Sequence, residues 1–477
     1  MVPLPRACLL TLVFLPAMGC DPDFDSGLIP DSMEPVAVTV QRDPSMPTAL
    51  WVSWETEEPG TSWVVYGVDG EASLVTSEQE ESTAHRVEIL GLPASREVDV
   101  QVHTLAGDVE YVGSAQANTG GLPSDLPSFI LKTPATLLAA ADRFMLVALH
   151  DGTSSWLMII DRQGRPVWYL EGEAEAEFAD IELDEESGDF VILQQDWTGD
   201  QAALLRVPLE APAQIERSSV ELAHHALAAL PEGSVAYLVK DTRGWSLEGE
   251  GEETTQVAGD AIWERAADGS QRLIFSTWDW ADPQRYEDWE GIYPDELDWT
   301  HANSISYRAA TDSLLLSIRN AACLLEIDRE TGAVLAEYGS HGDDWGFAEG
   351  TEPFYYQHDA RWTSAGNLLM MSTPRQADGG YGHVSVAIEY ALDEQRHQLV
   401  QVWRYGDVDP LEARSHGGAT RLANGNTVVN WGAPTGAIRE VALSGQTAWE
   451  VKARHSDGSE ASVFGTVTFA GFYPPGP

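Results

Sequence analysis

Positive charge is scarce in this 477-residue chain: 27 Lys and Arg stand against 76 Asp and Glu, a formal net charge of −49. A polyanion would be repelled by such a surface, so nucleic acid and anionic lipid faces are excluded as principal partners. The same surplus keeps a protein soluble in strong salt, where self-repulsion is screened, and so fits a saline habitat. Cysteine is nearly absent. Of the three, Cys8 and Cys20 lie in the first twenty residues and Cys323 is left alone in an apolar Ala-Ala-Cys-Leu-Leu stretch. That excludes a disulfide framework and a cysteine metal site, and Cys323 reads as an inert core thiol. Long apolar runs are missing beyond residue 20, as are a phosphate-binding glycine loop and a helical dimerisation stripe. No metal and no cofactor are expected.

What is present is ample apolar residue, 43% with 9% aromatic, enough to bury a core in most of the chain. The N-terminus carries an address. Arg6 precedes an apolar run from Ala7 to Ala17, and Pro16-Ala17-Met18-Gly19-Cys20 resembles a bacterial lipobox. The expected reading is a lipoprotein signal at 1–19, lipidation at Cys20, and an acidic tether at 20–33. The protein is then held on the periplasmic or outer side of a Gram-negative cell envelope, touching the membrane through its lipid alone, or secreted if not lipidated.

Residues 34–118 alternate apolar and polar side chains in short runs such as Leu50-Trp51-Val52-Ser53-Trp54 and Ser62-Trp63-Val64-Val65-Tyr66. Turn residues separate them at the spacing of a small β-sandwich. With Leu90-Gly91-Leu92-Pro93 before Val98-Asp99-Val100, this block resembles a fibronectin type III domain, although valine stands at 98 where tyrosine is common.

From 127 to 472 a unit recurs: an aliphatic strand ending in an acid, a tight turn, and a strand ending in an aromatic residue. Examples are Met158-Ile159-Ile160-Asp161 to Trp168, Leu325-Glu326-Ile327-Asp328 to Tyr338, and Arg439-Glu440-Val441 to Trp449. A second hairpin precedes several copies. Four strands per unit and about 58 residues per unit predict a six-bladed β-propeller, an all-β fold, with Gly465 to Phe469 pairing into the first blade to close the ring. Five and seven blades are also compatible with the rhythm, because the second blade, about 178–220, is faint.

The inner strand of each blade lines the central channel, so a residue type recurring at its start converges on one funnel. Histidine recurs there. His224-His225, His301, His358 and His416 open blades three to six, with His416 offset by about one residue. Two readings stand: chemistry at the mouth, or histidines anchoring inner loops through hydrogen bonds. An aromatic and acidic insertion, Trp278-Asp279-Trp280 through Tyr286, Trp289, Tyr293 and Trp299, is expected either to roof the channel or to pack over it.

Asp298-Trp299-Thr300-His301-Ala302-Asn303-Ser304, Gln357-His358-Asp359 and Asn424-Gly425-Asn426-Thr427 resemble the bacterial arylsulfotransferase family. The resemblance implies sulfate transfer from a phenolic ester to another phenol through a sulfated histidine, with an aryl sulfate and a phenol as small aromatic substrates. It implies His301 and His358 as channel histidines and Arg375 as the sulfate-binding arginine, unless that arginine is a solvated loop charge. Asn303, Arg319 and Trp299 are expected to touch the substrate. The family's nucleophilic histidine aligns with Val429-Asn430-Trp431-Gly432-Ala433, which has none. His416 or His225 is expected to replace it. Rival readings are a propeller that binds a ligand or an envelope partner without catalysis, and a hydrolase or lyase in the same channel.

Overall fold

The computed structural model describes residues 32–68, 70–150, 154–196, 200–245, 255–283, 297–339, 344–374, 384–407 and 409–473, with nothing said of the Arg414 side chain. Cys20, Arg375, Tyr286, Trp289 and Tyr293 lie outside them. The described chain is almost entirely strand, with a single one-turn α-helix at Gly432–Thr435.

Six blades stand around an axis, each with four antiparallel strands, and three of them carry a fifth strand. Their inner strands are Ser462–Phe469, Ala176–Leu183, Ala223–Ala229, Ala302–Arg308, His358–Trp362 and Gly418–Arg421, in blades one to six; from blade one to blade six each packs on the next, and blades six and one meet through Thr427–Asn430 and the helix at Gly432–Thr435 against Ser462–Phe469. This is the six-bladed β-propeller that the repeat rhythm predicts, and its faint second blade runs from Ala176 to Glu221. The ring is sealed twice. The chain's last strand, Ser462–Phe469, pairs with Phe144–His150 as the inner strand of blade one. Ser128–Thr133 adds a fifth strand outside blade six, against Thr447–Arg454. Both termini of the ring are thereby held by backbone hydrogen bonds, which removes the open edges that an incomplete ring would expose.

The acid that recurs in the third strand has a structural cause. Glu264, Glu326, Glu389 and Glu440 are each almost fully buried. Three of them bind an arginine of the next blade round the ring: Glu264 with Arg329, Glu389 with Arg421, and Glu440 with Arg162 of blade one. Glu326 instead binds Arg308 of its own blade, whose guanidinium lies over Trp362 of the next. A buried carboxylate needs such partners, so in three of the six blades this one acid ties the blade to its neighbour.

Before the ring, seven strands between Ser32 and Asn118 form a separate hydrogen-bonded network around the long strand Leu50–Val68. Alternate residues Leu50, Val52, Trp54, Val64 and Tyr66 of that strand point into one core with Val87, Ile89, Val98, Val100 and Val102. These strands dock on blade one. Arg165 binds Glu71 through two hydrogen bonds of 2.7 and 2.8 Å, and Arg143 donates to the carbonyl oxygens of Ala72 and Ser73.

Candidate functional site

The channel histidines owe their place to a repeated backbone device. At the start of four inner strands one residue that is not glycine adopts left-handed φ: His225 at 57°, His301 at 46°, Asp359 at 52° and His416 at 61°. Ladder irregularities accompany the first three, at Ala223/Leu227, Ala302/Ser304 and His358/Arg361. A bulge re-aims a side chain, and such strain of about 1–3 kcal/mol per residue is typical of functional sites. The offset expected at His416 lies instead in blade five, where Asp359 takes the left-handed position and His358 stands one residue earlier.

The rings converge as the inner-strand repeat requires. His225 stands edge-on to His301, with ring centres 5.0 Å apart, and His358 lies 5.8 Å from His416. His416 stacks on Phe464 of the closing strand at 3.8 Å, and His150, on the neighbouring strand of blade one, stacks on the same ring at 5.6 Å. Gly432, in the segment where the family's nucleophile is expected, packs on the backbone of Ser415 and His416; a Cβ there would collide with both. Asn430 of that segment is buried, accepting from Gly432 N–H and donating to the carbonyl oxygen of Val463. His416 is thus adjacent in space to the position that lacks a histidine.

Each ring is oriented by a partner. His301 Nδ1 lies 2.7 Å from Asp298 Oδ2, and the Asp298 Oδ1 accepts the His301 backbone N–H at 2.8 Å. The carboxylate can only accept, so Nδ1 carries a proton and Nε2 is left as the atom that gives or takes a second one. His358 Nδ1–H donates to the Gly417 carbonyl at 2.9 Å, with the same result. Burial, the first cause, together with neighbouring imidazoles holds His358 down to about 4 and His416 down to about 3, so both stay neutral at ordinary pH. Burial and four surrounding imidazoles push His225 well below its ordinary value.

Arg319 supplies positive charge beside these rings. Its guanidinium lies 3.9 Å from the centre of the Tyr356 ring and its field reaches His358. Asn303 is buried, donating to the Gln357 carbonyl at 2.8 Å, and lines an axial cavity of about 30 Å³ with His358, Asp359 and Phe464. Trp299, expected at the substrate, is fully buried instead. It packs against Trp278 and Trp280, 5.8 and 6.3 Å between ring centres, in the core shared by blades three and four, its backbone N–H donating to the Ala258 carbonyl. The described aromatic residues of the insertion thus pack on the core, Trp299 inside it and Trp278 and Trp280 partly buried against it.

Sequence reasoning missed Asp298 and Asp260 as partners of the rings, and His150 and Phe464 from the closing blade. The i, i+3 spacing of Asp298 and His301 was the available signal for the first. It missed also a buried group deeper in the channel: Arg361 paired with Asp359, beside Asp180 and Glu182. Burial raises Asp180 well above the carboxylate range and Glu182 up to about 7.

No curated protein matches the chain. Solved structures share its outline at low identity: the oligogalacturonate lyase in complex with manganese (10% identity, TM-score 0.40, 72% of this chain and 96% of that one), the nidogen/laminin complex (10%, 0.37, 68% and 98%) and apo AztD from Citrobacter koseri (12%, 0.34, 72% and 99%). Likeness so distant carries no argument about chemistry. The family model described as Arylsulfotransferase (ASST) matches residues 133–435, more than half of the chain. With that match over the blades that bear its channel histidines, the chain belongs to the arylsulfotransferase family.

Proposed function

We propose that the protein transfers a sulfate group from an aryl sulfate to a second phenol at the histidine-lined mouth of the propeller. One observation carries the reading: imidazoles from four blades meet beside the Arg319 guanidinium in a protein whose net charge of −49 would otherwise repel a sulfate ester. A guanidinium can hold sulfate oxygens and offset charge developing on them, while a neutral imidazole serves as nucleophile and another as acid and base. His301, backed by Asp298, suits proton transfer to the leaving phenolate and from the incoming phenol. His358 presents Nε2 to the same space. In this reading Arg375 adds a second guanidinium on sulfate.

The proposal places the enzyme outside the cytoplasm, lipidated at Cys20 behind an acidic tether. The strands of 34–118 act as a fibronectin type III-like spacer ahead of a propeller spanning 127–472. A non-catalytic binding propeller is the second reading, and the buried Asn430 at the family's nucleophile position favours it. Sulfate transfer from 4-nitrophenyl sulfate to phenol, measured for the full chain beside His358→Ala and Arg375→Ala, separates the two. Turnover lost in both variants supports transfer. A folded chain with no turnover on several aryl sulfates supports the binding propeller.

A further inference from the structure

Two imidazoles at the mouth are backed by a carboxylate, and the second is reached through an intermediary. His224 is almost fully buried, and its Nε2 lies 2.9 Å from Asp260 Oδ1, also buried, though the ring N–H is bent away from good alignment. Two lone pairs at that distance would repel, so Nε2 carries the proton. Asp260 is fixed from the other side: its Oδ2 accepts the Thr300 hydroxyl at 2.5 Å and the Ala302 N–H at 2.7 Å. Burial pushes this carboxyl up, but the His224 ring and those two donors outweigh it and hold it below its ordinary range.

With its proton on Nε2, neutral His224 has a bare Nδ1. That atom lies 2.8 Å from Nδ1 of His225, so His225 is the donor and its own lone pair is on Nε2. The His225 backbone is pinned as well, its N–H donating to Gln195 Oε1 at 2.8 Å. Among the mouth histidines the other partners differ in kind. His358 leans on a carbonyl and His416 on a hydroxyl, at 2.9 and 3.1 Å, and neither partner can absorb positive charge on the ring.

We infer that Asp260, His224 and His225 form a relay in which His225 Nε2 is the nucleophile that accepts the sulfuryl group, His224 and Asp260 being positioning residues. The assignment rests on the sulfate-transfer reading. The His225 lone pair forms the N–S bond as the S–O bond to the aryl group breaks. The bonding electrons leave on the phenolate, which takes a proton from His301 Nε2, that ring entering the cycle doubly protonated with Asp298 opposite its Nδ1. Charge arriving on the sulfated ring is relieved by moving its Nδ1 proton to His224, whose positive ring then faces the Asp260 carboxylate. In the second half the acceptor phenol gives its proton to His301, its oxygen bonds to sulfur, and the N–S electrons return to His225.

Full-length protein is incubated with 4-nitrophenyl sulfate alone, quenched in alkali and digested, and the peptide carrying one sulfuryl group is located by mass spectrometry. The expected site is His225. Asp260→Asn keeps the acceptor for Thr300 and Ala302 but presents an N–H to His224. That reverses both tautomers and places a proton on His225 Nε2. The single-turnover release of nitrophenolate is expected to fall by about 10³–10⁴-fold, as when the orienting aspartate of a hydrolase triad becomes asparagine. Binding of 4-nitrobenzenesulfonate, which cannot pass on its group, stays at the parent's affinity, which a merely structural role would not preserve. His224→Gln is expected to lose label in the same way. A sulfuryl group on His301, His358 or His416, or an Asp260→Asn rate within about tenfold of the parent, overturns the assignment while leaving sulfate transfer intact. A parent chain with neither turnover nor label overturns both.

Discussion

Closing the ring places a measurable load on Glu440. Its side chain is fully buried in blade six and joins three separate stretches: Oε1 accepts from Ala140 N–H at 2.6 Å and from Asn426 Nδ2 at 2.7 Å, and Oε2 accepts from Arg162 Nη1 of blade one at 2.8 Å. Arg162 is itself mostly buried, with its guanidinium over Trp449 and its Nε donating to the Asp142 carbonyl at 2.6 Å. Glu440→Ala removes all three bonds and leaves a buried guanidinium without its counter-charge, a change worth about 3–5 kcal/mol. Glu440→Gln keeps the volume and two of the acceptor contacts but turns an amide N–H toward Arg162; its expected cost is about 2 kcal/mol. Removing both partners in Arg162→Met/Glu440→Ala should cost less than the sum of the single changes by about 1–3 kcal/mol, since no orphaned charge remains. Urea unfolding followed by tryptophan fluorescence, at constant denaturant slope, reads each value. A cost for Glu440→Ala below about 1 kcal/mol, or additive single changes, would refute the claim that this acid closes the seam. The seam matters for chemistry because His416 and Phe464 meet across the same two blades.

Asp298→Asn should lower kcat by about 10²–10⁴-fold, the usual worth of an oriented acid or base, with little change in KM; steady-state kinetics on an aryl sulfate check it, and a loss within about threefold would remove Asp298 from the mechanism. Glu182 tests the channel interior. Its carboxyl is raised to about 7 by burial, only partly offset by Arg361. A raised acid costs stability above its folded pKa and nothing once pH falls below its unfolded value near 4.5. Glu182→Gln should therefore be more stable than the parent at pH 8 by about 1–3 kcal/mol and equal to it at pH 4. Thermal unfolding midpoints across that range decide, and a pH-independent difference would contradict the burial.

Much of this protein is legible in its amino-acid order alone. Repeats are local events: an acid at the third strand, a turn and a terminal aromatic recur because each blade must bury one face and bind the next, so Glu264, Glu326, Glu389 and Glu440 write the ring into the sequence. The closing strand at Gly465 to Phe469 and the convergence of His225, His301, His358 and His416 follow from the same rhythm. Three things are decided by the fold. Register at the inner strands depends on bulges, which shift a side chain by one position and place Asp359, not His358, beside Gly418. Aromatic content does not say which way a loop turns, and Trp299 goes inward. The partners that decide the tautomers, Asp260 for His224 and Gly417 for His358, come from segments 36 and 59 residues away from the rings they hold. Composition and spacing choose the architecture because they act through every residue. Tautomers and charge are set by single contacts between distant segments, and only the folded ring brings those together.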